Sequence, residues 1–265
     1  AAPVSGEIVE VKRGEKRKLL EIKILADQTV SHESFGKIDI NQDRDALAAK
    51  LASTGVWPNI IQRPYGVVAN PADTPKAIYI SGFDSHPLAP DYAFTLKGEE
   101  KYFQAGIDTL AKLTSGKVHL NIDGSKPAPS IYSGVKNAQI NQFSGPHPAG
   151  NVGTQIHHIS PINKGDLVWT VSPFGVVQIG KAVLEGVYDA SRVIALTGSE
   201  LTKTGYVKTY VGANVSPFVK GNLNSGHVRV ITGNVLTGEK VQLDGYLGFY
   251  HSQITVIPEA IMRNS

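Results

Sequence analysis

The sequence contains no cysteine, and that absence removes several chemistries at once. It leaves no disulfide framework, no thiolate nucleophile, no cysteine-ligated zinc and no iron–sulfur cluster held by this chain. A cysteine-free chain suits cytoplasm or periplasm equally, so composition leaves the compartment open. Methionine is nearly absent as well: Met262 is the single one, and position 1 is alanine, which leads us to expect a piece cut from a longer chain. No apolar run approaches the roughly 18 residues that span a bilayer. Charge is scarce too. Asp, Glu, Lys and Arg make up 18% of 265 residues, below the usual share of about a quarter. The 26 basic and 23 acidic side chains leave a net +3, too little to imply a nucleic-acid partner. The one dense basic run, Lys12-Arg13-Gly14-Glu15-Lys16-Arg17-Lys18, reads as a solvated turn between strands.

Glycine and proline, by contrast, supply 42 residues, which favours short strands and turns over long solvated helices. Gly6 to Val11 and Leu19 to Ile24 alternate apolar and polar around a Gly14 turn and predict a hairpin. A lone hairpin is marginal in water, so its partner strands are expected upstream. Residues 26–45 are polar with weak periodicity and predict a linker. Asp43 or Asp45 caps a helix over Ala46 to Leu51, which Gly55 ends. Strand-like runs at Ala77 to Ile80, Val118 to Ile122, Ala138 to Asn141 and Leu167 to Val171 then alternate with helical patterns. Phe103, Ile107, Leu110 and Ala111 share one helical face, and a last helix over Val176 to Leu184 ends at Gly186. This grammar predicts a Rossmann-like parallel sheet covered on both faces. Beyond about residue 190, short β-like runs at 193–196, 206–210 and 227–231 surround one short helix at 216–220, which predicts a small α+β module.

The familiar nucleotide and hydrolase signatures fail on inspection. Gly150 and Gly153 match the last two glycines of G-x-G-x-x-G, but Pro148 stands where the first must make a tight turn. Gly145 and Gly150 have P-loop spacing, yet Asn151-Val152 replaces the Lys-Ser/Thr pair. No G-x-S-x-G exists. His157 and His158 are adjacent, so on a helix they point about 100° apart, and no metal site is expected there. Asp84 and His86 sit just beyond a predicted strand end, where open α/β sheets bind ligands, and suit an acid/base or hydrogen-bonding pair. Trp57 and Arg63-Pro64-Tyr65 offer an aromatic platform and a cation on one loop.

Taken in order, Gly6 to Arg17, the Gly55…Trp57…Arg63-Pro64-Tyr65 segment, Asp84 to Pro90 and Phe143-Ser144-Gly145-Pro146-His147-Pro148-Ala149-Gly150-Asn151-Val152-Gly153-Thr154-Gln155-Ile156-His157-His158 resemble the A subunit of the bacterial Na+-translocating NADH:quinone oxidoreductase. The last run is the most specific, and the resemblance covers the whole chain. It implies a remnant of a lipoyl-like β-module at 1–25, a Rossmann-like domain at 26–188, a β-grasp module of the SLBB type at 189–257, and the start of a truncated C-terminal region at 258–265. Gly198 to Val207 and Val211 to Val215 carry the SLBB likeness. The Rossmann-like part resembles the flavin-binding subunit of respiratory complex I, but Gly55 stands among Ser53, Thr54, Val56 and Trp57 where that relative has a glycine-rich loop. The resemblance therefore implies no tightly bound cofactor and no redox centre in this chain. It implies a peripheral subunit on the cytoplasmic face of the bacterial inner membrane, with the complex's other subunits, including its membrane subunits, as partners, no nucleic acid, and a contribution to quinone reduction and assembly. A quinone needs an apolar slot and donors to its carbonyl oxygens. Trp57, Arg63, Asp84, His86, Gly150, Gly153 and His157 are the residues expected to contact quinone or partner. The alternative is a docking or scaffold module of a membrane electron-transfer complex, Rnf-like, although the related Rnf subunit carries cysteines that this sequence lacks.

Overall fold

A computed structural model describes residues 1–224 and 226–259. The predicted hairpin is present: β1 (Gly6–Arg13) and β2 (Leu19–Ala26) pair antiparallel as a two-stranded sheet. Ile8, Val9, Leu20 and Leu25 are all exposed on it. The segment that follows is not the free linker its polarity predicts. Its backbone is pinned, with Phe35 N–H donating to Gly186 C=O (2.9 Å) and Ile38 N–H to Val183 C=O (3.0 Å).

The α/β portion runs through α1 (Arg44–Thr54), β3 (Ile61–Arg63), β4 (Val67–Val68), β5 (Ile78–Ser81), α2 (Tyr92–Thr95), α3 (Glu100–Leu113), β6 (Val118–Asp123), β7 (Gln139–Phe143), α4 (Val152–Ile159), β8 (Val168–Thr170) and α5 (Pro173–Glu185). The caps follow the sequence logic. Asp43 accepts the N–H groups of Asp45 and Ala46, and Gly55 and Gly186 end α1 and α5 in left-handed geometry. Six strands form one sheet in the order β4-β3-β8-β5-β6-β7. From β8 to β7 the pairing is parallel, but β3 runs antiparallel to β8, and β4 to β3. The sheet is thus mixed at one edge, where an all-parallel sheet was expected. Ile78 and Ile80 face the core beneath α3 and α5; Tyr79, one step over, faces the core of Ile156 on α4. Helices therefore cover both faces.

Helices α3 and α5 approach unusually closely. A Cβ added to Gly180 would overlap the Tyr102 carbonyl oxygen, and one on Gly106 would overlap that of Val176. The two glycines are reciprocal: each admits the partner helix's backbone. Lys181, one residue along, bridges Glu99 (2.9 Å) and Asp189 (3.0 Å) across the same contact.

The remaining strands are β9 (Ser191–Thr197), β10 (Gly205–Tyr210), β11 (Val228–Thr232), β12 (Glu239–Val241) and β13 (Gln253–Pro258), with α6 (Ser216–Val219) between β10 and β11. Their order is β10-β9-β13-β11-β12, and β13 runs parallel to β9 at the centre, the β-grasp pattern. Val219 of α6 packs under this sheet with Ile194, Val230, Ile254 and Val256. Of the region expected at 258–265, Pro258 closes β13, Glu259 follows, and the rest lies outside the described residues. Arg192 fastens this sheet to the α/β portion. It is 5% exposed, lies 5.1 Å from the Phe174 ring centroid, and donates from Nη1 to the Phe249 and His251 carbonyls (both 2.9 Å). Replacing Gly180 by Ala is expected to cost about 2 kcal/mol or more, as overpacking does. Gly153→Ala, whose Cβ meets open space, should change stability by about 0.5 kcal/mol at most. Thermal melts of the two variants check this contrast.

Candidate functional site

From β5 the chain runs outward to β6 and β7 on one side, then returns through α4 to β8 on the other side of β5. The sheet therefore opens a crevice beyond the carboxyl ends of β5 and β8. It encloses about 580 Å³, the size of an ordinary small-molecule site. Arg63 at the end of β3 forms one wall, Ser81, Asp84 and Tyr92 another, and the Gly150-to-Thr154 turn a third. The start of α5 and Tyr250 complete the mouth. Four of the seven residues singled out from sequence meet here: Arg63, Asp84, Gly150 and Gly153. Arg63 belongs to a strand, not to the loop its neighbouring prolines suggest.

The other three lie elsewhere. His86 stands behind Asp84, with Nε2 3.6 Å from its carboxylate. Trp57 is 4% exposed; its indole N–H donates to the Ala69 carbonyl (2.7 Å), and its ring meets Trp169 edge-on, so that donor is already used in the core. His157 is exposed in the last turn of α4, 5.7 Å from the His158 ring, and does not line the crevice. No group of three His, Asp or Glu side chains is placed to hold a metal ion among the described residues.

The two charged side chains of the crevice are in opposite conditions. Asp84 is engaged: it accepts the Tyr92 hydroxyl (2.9 Å) and faces His86. Burial, reinforced by the charge and hydrogen bond of Asp84, holds the Tyr92 phenol well above its usual range. Burial opposes the charge on His86, but the hydrogen bond and charge of Asp84, with the Pro87 carbonyl, outweigh it and raise the imidazole. Arg63 has no ion-pair partner among the described residues, and its buried Nε has no hydrogen-bond acceptor.

Two helices begin at the rim. Ser172 caps α5 by accepting the Gly175 N–H (3.1 Å), whereas the Asn151 side chain leaves the first N–H groups of α4 uncapped. Gly150 is a glycine for packing reasons, since a Cβ there would press on the Ser85 backbone. Its N–H donates to Ser85 Oγ (2.8 Å) and its carbonyl accepts the Ser81 hydroxyl (2.8 Å). Behind this turn runs a polar ladder that sequence reasoning missed. Asn141 donates to Asn121 (2.8 Å), Asn121 to Gln155 (2.9 Å), and Gln155 to Ser81 Oγ (2.9 Å) and the Ala149 carbonyl (3.0 Å). Asn121 and Gln155 have no exposed surface. The one signal was an asparagine inside the apolar run Val118-His119-Leu120-Asn121-Ile122, because a buried amide needs partners.

An α/β sheet with a crevice at its switch point, followed by a β-grasp sheet, defines the class. The same architecture occurs in crystal structures of an NAD+-reducing NiFe-hydrogenase. The H2-reduced form matches at 14% identity and a TM-score of 0.56, over 83% of this chain and 47% of that one. The air-oxidised form matches at 12% and 0.51, over 89% and 53%. At such identities the likeness concerns fold alone. Family models are more specific: the NqrA second alpha/beta domain matches residues 42–188, the NqrA C-terminal domain 193–242, and the NqrA N-terminal barrel-sandwich hybrid domain 1–27. The chain belongs to the NqrA family. Curated relatives, each named as the A subunit of a Na(+)-translocating NADH-quinone reductase, include one from Yersinia pestis, 36% identical over 97% of this chain and 58% of the relative. One from Alcanivorax borkumensis is 37% identical over 99% and 59%. This chain thus spans somewhat over half the length of those relatives.

Two outcomes test this geometry. Gln155→Ala leaves the fully buried Asn121 amide N–H without its acceptor and should cost about 2–3 kcal/mol, with faster amide exchange in residues 149–154. His86 is raised from 6.5, so its pairing stabilises the fold fully below that pH and is lost as pH climbs through the raised value. Wild type should therefore lose stability relative to His86→Gln on going from acid to mildly alkaline pH, by on the order of 1 kcal/mol or less. A pH-independent difference between the two would contradict the pairing.

Proposed function

We propose that this chain is a peripheral part of a Na+-translocating NADH:quinone reductase, and that its crevice receives the quinone headgroup during quinone reduction. In this reading the chain holds no redox centre; it sits at the cytoplasmic face of the inner membrane against the membrane subunits of the complex. It acts as an enzyme only within that assembly. The observation that carries the reading is the crevice itself: a roughly 580 Å³ slot with polar groups converging on a partly apolar lining, in a chain of the NqrA family. Ile61, Val152, Val171 and Pro173 make up the apolar part of the lining, while Arg63 and the uncapped end of α4 give donors for carbonyl oxygens. The lack of cysteine supports carriers held by other subunits. No helix among the described residues is long and apolar enough to cross a membrane, which suits a peripheral position.

A second reading, pure docking or scaffolding, is favoured by one feature, the apolar face that β1 and β2 leave exposed. Photolabelling of the intact complex with an azido-quinone separates the two. Quinone binding here predicts label on peptides covering residues 59–63, 81–92 and 150–154, competed by unmodified quinone. Label confined to other subunits would leave the scaffold reading in its place.

A further inference from the structure

We propose that the crevice selects quinonoid ligands carrying a negative charge, with Arg63 and the free N–H groups at the start of α4 receiving the anionic oxygen. This deepens the reading of the crevice as a quinone site and rests on it. Arg63 is the single side-chain cation among the residues lining the crevice, and among the described residues no acidic group pairs with it. Its Nε is buried without an acceptor. The guanidinium borders the crevice with its charge unpaired among the described residues, so an incoming anionic oxygen would supply the partner it lacks.

The second observation is independent of the first. The first N–H groups of an α-helix have no intrahelical acceptor, and the Asn151 side chain does not cap those of α4. Val152, Gly153 and Thr154 all line the crevice, and nothing lies within 4 Å of the point where a Gly153 Cβ would stand. The first turn of α4 thus borders the crevice with no side chain standing at Gly153, and the helix dipole adds to the pull of its N–H groups on an anion.

The one acidic side chain in the lining does not cancel this field. Asp84 is taken up by the Tyr92 hydroxyl and by His86. Behind the wall lies Arg192, 5% exposed, with no carboxylate in hydrogen-bond contact and its guanidinium against Phe174. Charge-assisted hydrogen bonds are about twice as strong as neutral ones. A ligand with an ionised oxygen therefore gains more here than a neutral quinone of the same shape.

The test titrates the chain with the hydroxynaphthoquinone lawsone, which is ionised at neutral pH, and with its neutral methyl ether, by calorimetry. The ionised form should bind at least about tenfold tighter, and Arg63→Gln should remove the preference. Asn151→Asp supplies a control in which binding and folding diverge. An aspartate caps α4 at least as well as asparagine yet places a negative charge at the anion's position, so the preference should vanish while the thermal midpoint holds or rises. Equal binding of the two forms overturns the charge selectivity and leaves the quinone reading standing. An undiminished preference in both variants overturns the assignment to Arg63 and α4. Binding of neither form sinks the quinone reading, and the inference with it.

Discussion

The close approach of α3 and α5 is the contact on which the rest of the molecule depends. Gly106 and Gly180 remove the side chains that would hold the two backbones apart, and the gain is dense packing of two helices against one face of the sheet. Because α5 is fixed there, its other surfaces become docking sites. Its carboxyl end supplies the Val183 and Gly186 carbonyls that pin residues 35 and 38. Lys181 gathers Glu99 and Asp189, and Phe174 supports the guanidinium of Arg192 from the β-grasp sheet. The amino end of α5 reaches the crevice. A shift of this helix would move all three parts and the site together.

The crevice shows an uneven satisfaction of polar groups. Native interiors pair nearly all buried donors and acceptors, and most of this site obeys. Ser81, Asn121 and Gln155 form a closed ladder, and Asp84 has two partners. The deficit is concentrated on donors: Arg63 and the start of α4. Unmade donors around the crevice suit an acceptor-rich ligand, and the proposed quinone is one.

What could be read from sequence was what local chemistry determines. Asp43 before a helix and Gly55 and Gly186 after one are one-residue decisions about orphan N–H groups and left-handed backbone, and the structure uses each as read. Asp84 could be located at the carboxyl edge of the sheet, where it lines the crevice, because a strand's end is a position, not a contact. Trp57 misled because an indole in a short Pro-flanked turn looks exposed, whereas its N–H closes on Ala69, twelve residues away. Strands β3 and β4 escaped because three and two residues carry no period, and only pairing with β8 and with each other makes them strands. The Asn121–Gln155 bond joins residues 34 apart, a coincidence of topology that no local pattern encodes.

The glycines settle how the site can work. A dinucleotide loop uses glycine so that a phosphate can approach bare backbone. Here Gly55 stops α1 at φ 95°, and Gly150 is forced by the Ser85 backbone, so both are consumed by packing. Gly153 alone among the three faces open space, at the uncapped start of a helix. The surroundings of this crevice therefore differ in kind from a glycine-rich phosphate cradle. In the proposed reading, recognition rests on one guanidinium and one helix end acting on a single ligand edge. A flat, doubly oxygenated ring would then be held by one of its oxygens, with the other toward the open mouth of the crevice.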